Sequence, residues 1–181
     1  DTHALDPKSL LIFATGPLTG TLAPGSARLS ISGKNLLTGG IGSSNVGGHF
    51  APELKFAGFD AVIVEGKSPT PVYLLIQNKI GYIRDAIHLK DKTTWETENE
   101  LRKIHGEKAR VLSIGPAGER MAPVGCIMVD RSHAAGRCGF AAIMGSKNLK
   151  AFVVRGNLPI RIAAPEEFIS CVDKAKAQIL S

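Results

Sequence analysis

Two segments carry residues whose type and spacing suit the binding of an anion. The first is Ser43-Ser44-Asn45-Val46-Gly47-Gly48, leading into a helix-like stretch from near His49. The second is Ser132-His133-Ala134-Ala135-Gly136-Arg137-Cys138-Gly139, leading into Phe140–Met144. Glycine lets a ligand approach the backbone closely. A helix that starts just after such a segment offers unpaired N–H groups and the positive end of its dipole, both of which favour phosphate. Arg137 adds a guanidinium able to clamp a phosphate. Setting Gly47 on Gly136 places Asn45 on Ala134. Glycines also serve tight turns and close packing. Two related segments in a chain of net charge +6 nevertheless favour an anion. The spacing fits neither the Walker pattern nor G-x-G-x-x-G, which argues against ordinary ATP or NAD binding.

Other chemistry is thinly represented. Cys126, Cys138 and Cys171 form no C-x-x-C pair, so the chain offers no zinc or iron–sulfur signature of its own. Their odd number and wide spacing fit a reduced, cytoplasmic setting rather than a disulfide framework. His3, His49, His88 and His105 lack companions at a telling spacing. Glu53 and Asp60 suit a helix and a turn better than acid–base catalysis. No apolar run approaches the roughly 20 residues that span a bilayer, and no signal peptide is expected.

The elements that must position the two segments are mostly strands. β-branched runs mark Leu10–Ala14, Ala27–Ile31, Ala61–Val64, Val72–Ile76, Ile80–Arg84, Ala109–Ile114, Pro123–Val129 and Ala151–Val154. A hairpin turns at Gln77-Asn78-Lys79. Helices are fewer. One spans Thr93–His105, opened by the capping box Thr93-x-x-Glu96 and stopped before Gly106. Another covers Phe50–Ala57. A third starts at Ala164-Pro165 and runs to the C-terminus, with Phe168, Val172 and Ile179 on one side. Many strands and few helices without strict alternation predict an α+β fold of mixed β-sheets. The 181 residues suit a single domain.

The chain also resembles itself. Residues 16–24 read GPLTGTLAP and residues 115–123 read GPAGERMAP; residues 60–69 read DAVIVEGKSP and residues 150–159 read KAFVVRGNLP. The offsets are 99 and 90, so the second copy is shorter in its middle. Two structural repeats are expected, about 10–69 and about 109–159, arranged about a pseudo-two-fold axis with their glycine segments facing each other or at least on the same side.

Longer strings, GPLTGTLAP, SNVGGHFAPELKFAGFDAVIVEGKSPTPVYL, SIGPAGE and AAGRCGFAAIMGSKNLKA, resemble the tungsten-containing aldehyde:ferredoxin oxidoreductase family over nearly the whole chain. The resemblance implies an N-terminal domain that seats a bis-pterin cofactor carrying tungsten or molybdenum. Arg28 matches the family's cofactor-contacting arginine, Asn45 and Gly47 its first loop, and Ala134 and Gly136 its second. The carbonyls of Asn45 and Ala134 would hold a magnesium ion between the pterin phosphates. His133 stands where the family usually has arginine, which makes a fixed charge titratable. Cys138 replaces a common glycine and is expected to be a small buried residue.

The resemblance further implies a chain clipped at both ends. The four-iron cluster and the catalytic acids would lie in the missing domains, so these residues alone are expected to be inactive. The parent enzyme would oxidise aldehydes to carboxylic acids and pass electrons to ferredoxin; the remaining domains and a homodimer are the other implied partners. An aromatic acyl-CoA reductase subunit is the alternative within the family. A phosphate- or nucleic-acid-binding module is the alternative of another class. It is disfavoured because aromatic residues, at 6%, are not interleaved with the cations.

Overall fold

The structure, a computed structural model, describes residues 2–181. The chain begins with β1 (Leu11–Thr15), β2 (Leu29–Lys34), β3 (Ile41–Val46), α1 (Phe50–Phe56) and β4 (Ala61–Val64). These strands form an antiparallel sheet in the order β3-β2-β1-β4. Next come β5 (Val72–Gln77), β6 (Ile80–Asp85), a short 3-10 turn at Ile87–Leu89 and α2 (Thr94–His105). The chain continues with β7 (Arg110–Ile114), α3 (Pro116–Glu119), β8 (Ile127–Val129), β9 (His133–Ala135), α4 (Phe140–Ser146) and β10 (Leu149–Arg155), and ends on α5 (Pro165–Leu180). The second sheet runs β6-β5-β10-β7-β8-β9, antiparallel except where β5 lies parallel to β10. Mixed sheets with a few helices make the fold α+β.

The order β9-β8-β7-β10 in the second sheet is the order β3-β2-β1-β4 of the first. The registers agree at the offsets read from the sequence. Phe13 faces Val62, and Leu112 faces Phe152. Asn45, Ser30, Ala14 and Ala61 form one row across the first sheet. Ala134, Met128, Ser113 and Ala151 form the matching row in the second. The two units also exchange backbone contacts reciprocally at their helix ends. Ser68 N–H, beyond β4, donates to Lys147 C=O after α4; Leu158 N–H, beyond β10, donates to Phe56 C=O at the end of α1.

One apolar core lies between the sheets. It joins Leu11, Phe13, Leu29 and Ile31 of the first sheet to Leu112, Ile127, Phe152 and Val154 of the second. Phe50 and Leu54 of α1 and Phe140 and Met144 of α4 fill the space between. Phe13 and Phe152 meet with ring centroids 4.6 Å apart, and Phe50 stands edge-on to Phe152. A second cluster, with Tyr73, Leu75, Val111 and Val153 on the sheet and Leu101 on α2, covers the outer face of the six-stranded sheet.

Local chemistry accounts for much of this. Thr93 Oγ1 accepts from Glu96 N–H at 3.3 Å, and Thr93 N–H donates to Glu96 Oε2 at 2.8 Å, so the capping box at α2 is formed in both directions. Asn78 and Lys79 both take positive φ, 41° and 72°, as a two-residue hairpin turn between β5 and β6 demands. Two segments read as glycine loops are strands in part: Ser43–Val46 belongs to β3, and His133–Ala135 is β9. Pairing with β2 and β8 overrides their low β-propensity. Along α5, Val172 is buried while Ile179 is 68% exposed, so the expected apolar side is only partly covered.

Candidate functional site

Most of the predicted site residues lie on or just after β3 and β9, and Arg28 just precedes β2. β3 and β9 are the outer strands of their sheets and lie close to each other. Cys138 Sγ donates to Ser43 C=O at 3.8 Å, and Leu36 N–H donates to Cys138 C=O at 3.1 Å, which ties the second glycine segment to the edge of the first sheet. Cys138 is half-buried. A side chain at Gly42 would have its Cβ 2.8 Å from Cys138 Sγ, so close approach explains that glycine.

His133 leans over the first segment. Its Cδ2 lies 3.1 Å from the position a Cβ would take at Gly47, and its Nδ1 lies 3.3 Å from that of Gly48. Gly48 has φ +92°, and a Cβ there would be 2.8 Å from Asp130 Oδ2. The backbone conformation and the crowding both require glycine at this position. Asp130, in the turn between β8 and β9, accepts from His49 N–H at 2.5 Å. The expectation that the start of α1 offers free N–H groups to a phosphate is therefore corrected at His49, where a carboxylate of the second unit already takes the donor.

Arg28 and Gly47 line one cavity of about 400 Å³ together with Thr21, Ser26, Pro52 and Phe56. Arg28 is exposed and makes no hydrogen bond or ion pair with the described residues. Arg137 and Ala134 are exposed as well, as are Asn45 and Gly136. The structure thus groups Arg28 with Gly47, and His133 with Gly47 and Gly48. Arg137 is on the segment that Cys138 anchors to β3.

Sequence reasoning missed two parts of this region. One is Asp130, whose only signal was an acid just ahead of the second glycine segment. The other is a polar patch on the outer face of the first sheet. Ser30, Ser32 and Ser43 sit side by side there, with hydroxyl oxygens 3.2 Å apart for Ser30 and Ser43 and 3.4 Å for Ser32 and Ser43. The alternation Leu29-Ser30-Ile31-Ser32 announces it, because a strand with one apolar and one polar side leaves the polar side open.

The hairpin that carries His133 and Ala134 is braced from behind. Glu98 of α2, nearly buried, pairs with Arg102 at 3.2 Å and with Arg131 at 3.5 Å. Arg131 also lies over the Trp95 ring at 5.5 Å. Burial pushes the Glu98 carboxyl above its ordinary value, with Asp130 adding to the rise, while Arg131 and Arg102 pull it back. Among the described residues no group of three or more His, Cys, Asp or Glu side chains is placed to hold a metal ion.

Comparison with known proteins bears on this arrangement. Residues 1–156 match the family model described as aldehyde ferredoxin oxidoreductase, N-terminal domain. The chain belongs to that family. It is 48% identical over 169 residues to the tungsten-containing aldehyde ferredoxin oxidoreductase of Pyrococcus furiosus, a match that takes in 93% of this chain and 28% of that one. It is 37% identical over 189 residues to the WOR-like subunit of an aliphatic sulfonate oxidoreductase from the same organism, across 97% of this chain and 29% of the relative. The domain also superposes on a chain of the active-site complex BamBC of benzoyl coenzyme A reductase, solved with 1,5-dienoyl-CoA. That match has a TM-score of 0.92 and 43% identity, and covers 95% of this chain and 26% of the other. The domain therefore spans between a quarter and a third of the length of these oxidoreductases. No helix among the described residues is long and apolar enough to cross a membrane.

Proposed function

We propose that this domain seats a bis-pterin cofactor of tungsten or molybdenum on the exposed region between its two units, which are related by a pseudo-two-fold axis. The observation that carries the reading is the shared cavity of Arg28 and Gly47, with His133 leaning on the same glycine from the second unit. Arg28, His133 and Arg137 would bind the phosphates, and Gly47 and Gly136 let them come near the backbone.

The donors present fit a magnesium ion between the phosphates. Ser43 C=O points away from β2, toward Cys138. In an antiparallel strand carbonyls two residues apart point the same way, so Asn45 C=O also faces the second unit. By the matching register, Ala134 C=O on β9 would take the same orientation. Magnesium accepts carbonyl and phosphate oxygens readily. The small polar face of Ser30, Ser32 and Ser43 supplies hydroxyl donors and a flat floor beside it.

When bound, the cofactor supplies the redox chemistry of the parent enzyme, aldehyde oxidation with electron transfer to ferredoxin. This domain's residues bind phosphate, orient the pterins and exclude water beneath them. The iron–sulfur cluster, the catalytic acids and the substrate pocket belong to the rest of a parent chain that acts in the cytoplasm, alone or as a homodimer. The BamBC likeness favours a second reading of the reaction, reduction of an aromatic acyl-CoA ester by the same kind of cofactor site. A phosphate- or nucleic-acid-binding module is the weaker third reading.

Elemental analysis of the full-length protein from its native host tests the proposal. Tungsten or molybdenum together with iron is expected, and finding neither tungsten nor molybdenum sinks it. The isolated domain should show no turnover of an aldehyde with a viologen dye.

A further inference from the structure

A second group of cations lies apart from the Arg28 cavity. Lys108, Arg110 and Arg155 line a cleft of about 640 Å³, and Gln77, Asn78 and Asn157 make its walls polar. Strand ends build it: β5 stops at Gln77, β10 stops at Arg155 and β7 starts at Arg110. Register brings them together, with Arg155 beside Gln77 and Arg110 opposite Val154.

The cations are poorly neutralised. Glu53 is the carboxylate in the wall, and its Oε1 accepts from Gly156 N–H at 2.8 Å. Arg155 donates to His105 C=O at 3.2 Å. The side chains of Lys108 and Arg110 make no hydrogen bond or ion pair with the described residues, and Arg110 Nε is closed off from solvent without an acceptor. The guanidinium as a whole is unpaired and lines the cleft, and such donors gain strongly from an arriving oxyanion. The cations are not a by-product of duplication. At the offsets of the two copies the first unit has Leu11 for Arg110 and Glu65 for Arg155.

We propose that this cleft binds the phosphate or carboxylate group of a small polar solute, independently of any cofactor at the Arg28 cavity. Arg110 and Arg155 hold the oxyanion, Lys108 adds charge at the edge, and the three amides meet the rest of the molecule. The cleft falls within the roughly 300–1,000 Å³ of small-molecule sites and exceeds what a lone phosphate fills.

Calorimetric titration of the full-length protein with pyrophosphate and with citrate, at about 0.15 M salt to screen unspecific attraction, provides the test. Saturable binding of at least one probe is expected, weakened about tenfold or more by Arg110→Gln. Lys108→Gln should weaken it too; this residue is exposed, so its variant reports even if Arg110→Gln fails to fold. Metal content should stay unchanged in Lys108→Gln. No saturable heat with either probe, or wild-type affinity in the folded variants, overturns the proposal.

Discussion

The outer faces of the two sheets share a register and differ in what covers them. In the six-stranded sheet the outward residues Val111 and Val153 are buried under α2. Their counterparts in the first sheet are Ile12 and Ile63, and Ile63 is 62% exposed. The first sheet carries Ser30, Ser32, Ser43 and Asn45 on that face, with Ser43 and Asn45 exposed and Ser30 and Ser32 half-buried. α2, which follows β5 and β6 and precedes β7, covers the outer face of the six-stranded sheet. Two sheets of matching strand order thus differ: one outer face is packed into the fold, the other is left open.

That division can be broken by mutation, and the largest effect should come from the covered face. Leu101→Ala removes the helix side chain that packs on Val111 and Val153 and should cost about 2–5 kcal/mol in urea unfolding. Ile63→Ala on the open face should change stability by no more than about 0.5 kcal/mol. Equal costs would end the comparison. Next in size is a loss of ligand rather than of fold. Arg28→Ala in the full-length protein should lower the affinity for the pterin cofactor about tenfold with stability unchanged, as read by metal and pterin content after dialysis. Unaltered content would remove Arg28 from the site.

The smallest effect concerns the brace behind the second unit. Burial raises the Glu98 carboxyl, so the folded state holds its proton more tightly than the unfolded chain. The stability this contributes is fully present below the unfolded value and declines as pH rises through the folded one. Wild type should therefore lose stability relative to Glu98→Gln between the ordinary carboxylate value and neutral pH. Parallel pH profiles from denaturant titrations would show instead that Arg131 and Arg102 fully offset burial.

Legibility in the sequence followed the locality of the forces. Ala61–Val64, the hairpin at Asn78-Lys79 and the capping box of Thr93 rest on neighbours in the chain, and their residues announced them. Aligning Gly47 with Gly136 put Asn45 on Ala134, and these two residues occupy the same place in the matching strand rows of the two sheets. β3 and β9 were not readable as strands. Glycine and asparagine in β3 and alanine in β9 have poor β-propensity, and both strands exist because a partner supplies hydrogen bonds. The parallel pairing of β5 with β10 is equally non-local. Asp130 escaped notice for the same reason: its carboxylate acts on His49, 81 residues away.

The proposed cofactor seat lies where β3 meets β9, and the open serine face of the first sheet is its floor. Ser30 lies opposite Asn45 at its centre. Ser30→Trp in the full-length protein would place an indole on that floor without disturbing the core. Metal analysis together with pterin quantification measures the result. An intact fold by circular dichroism with tungsten or molybdenum and pterin nearly lost is expected; a folded variant that keeps its full cofactor content would contradict this seat for the cofactor.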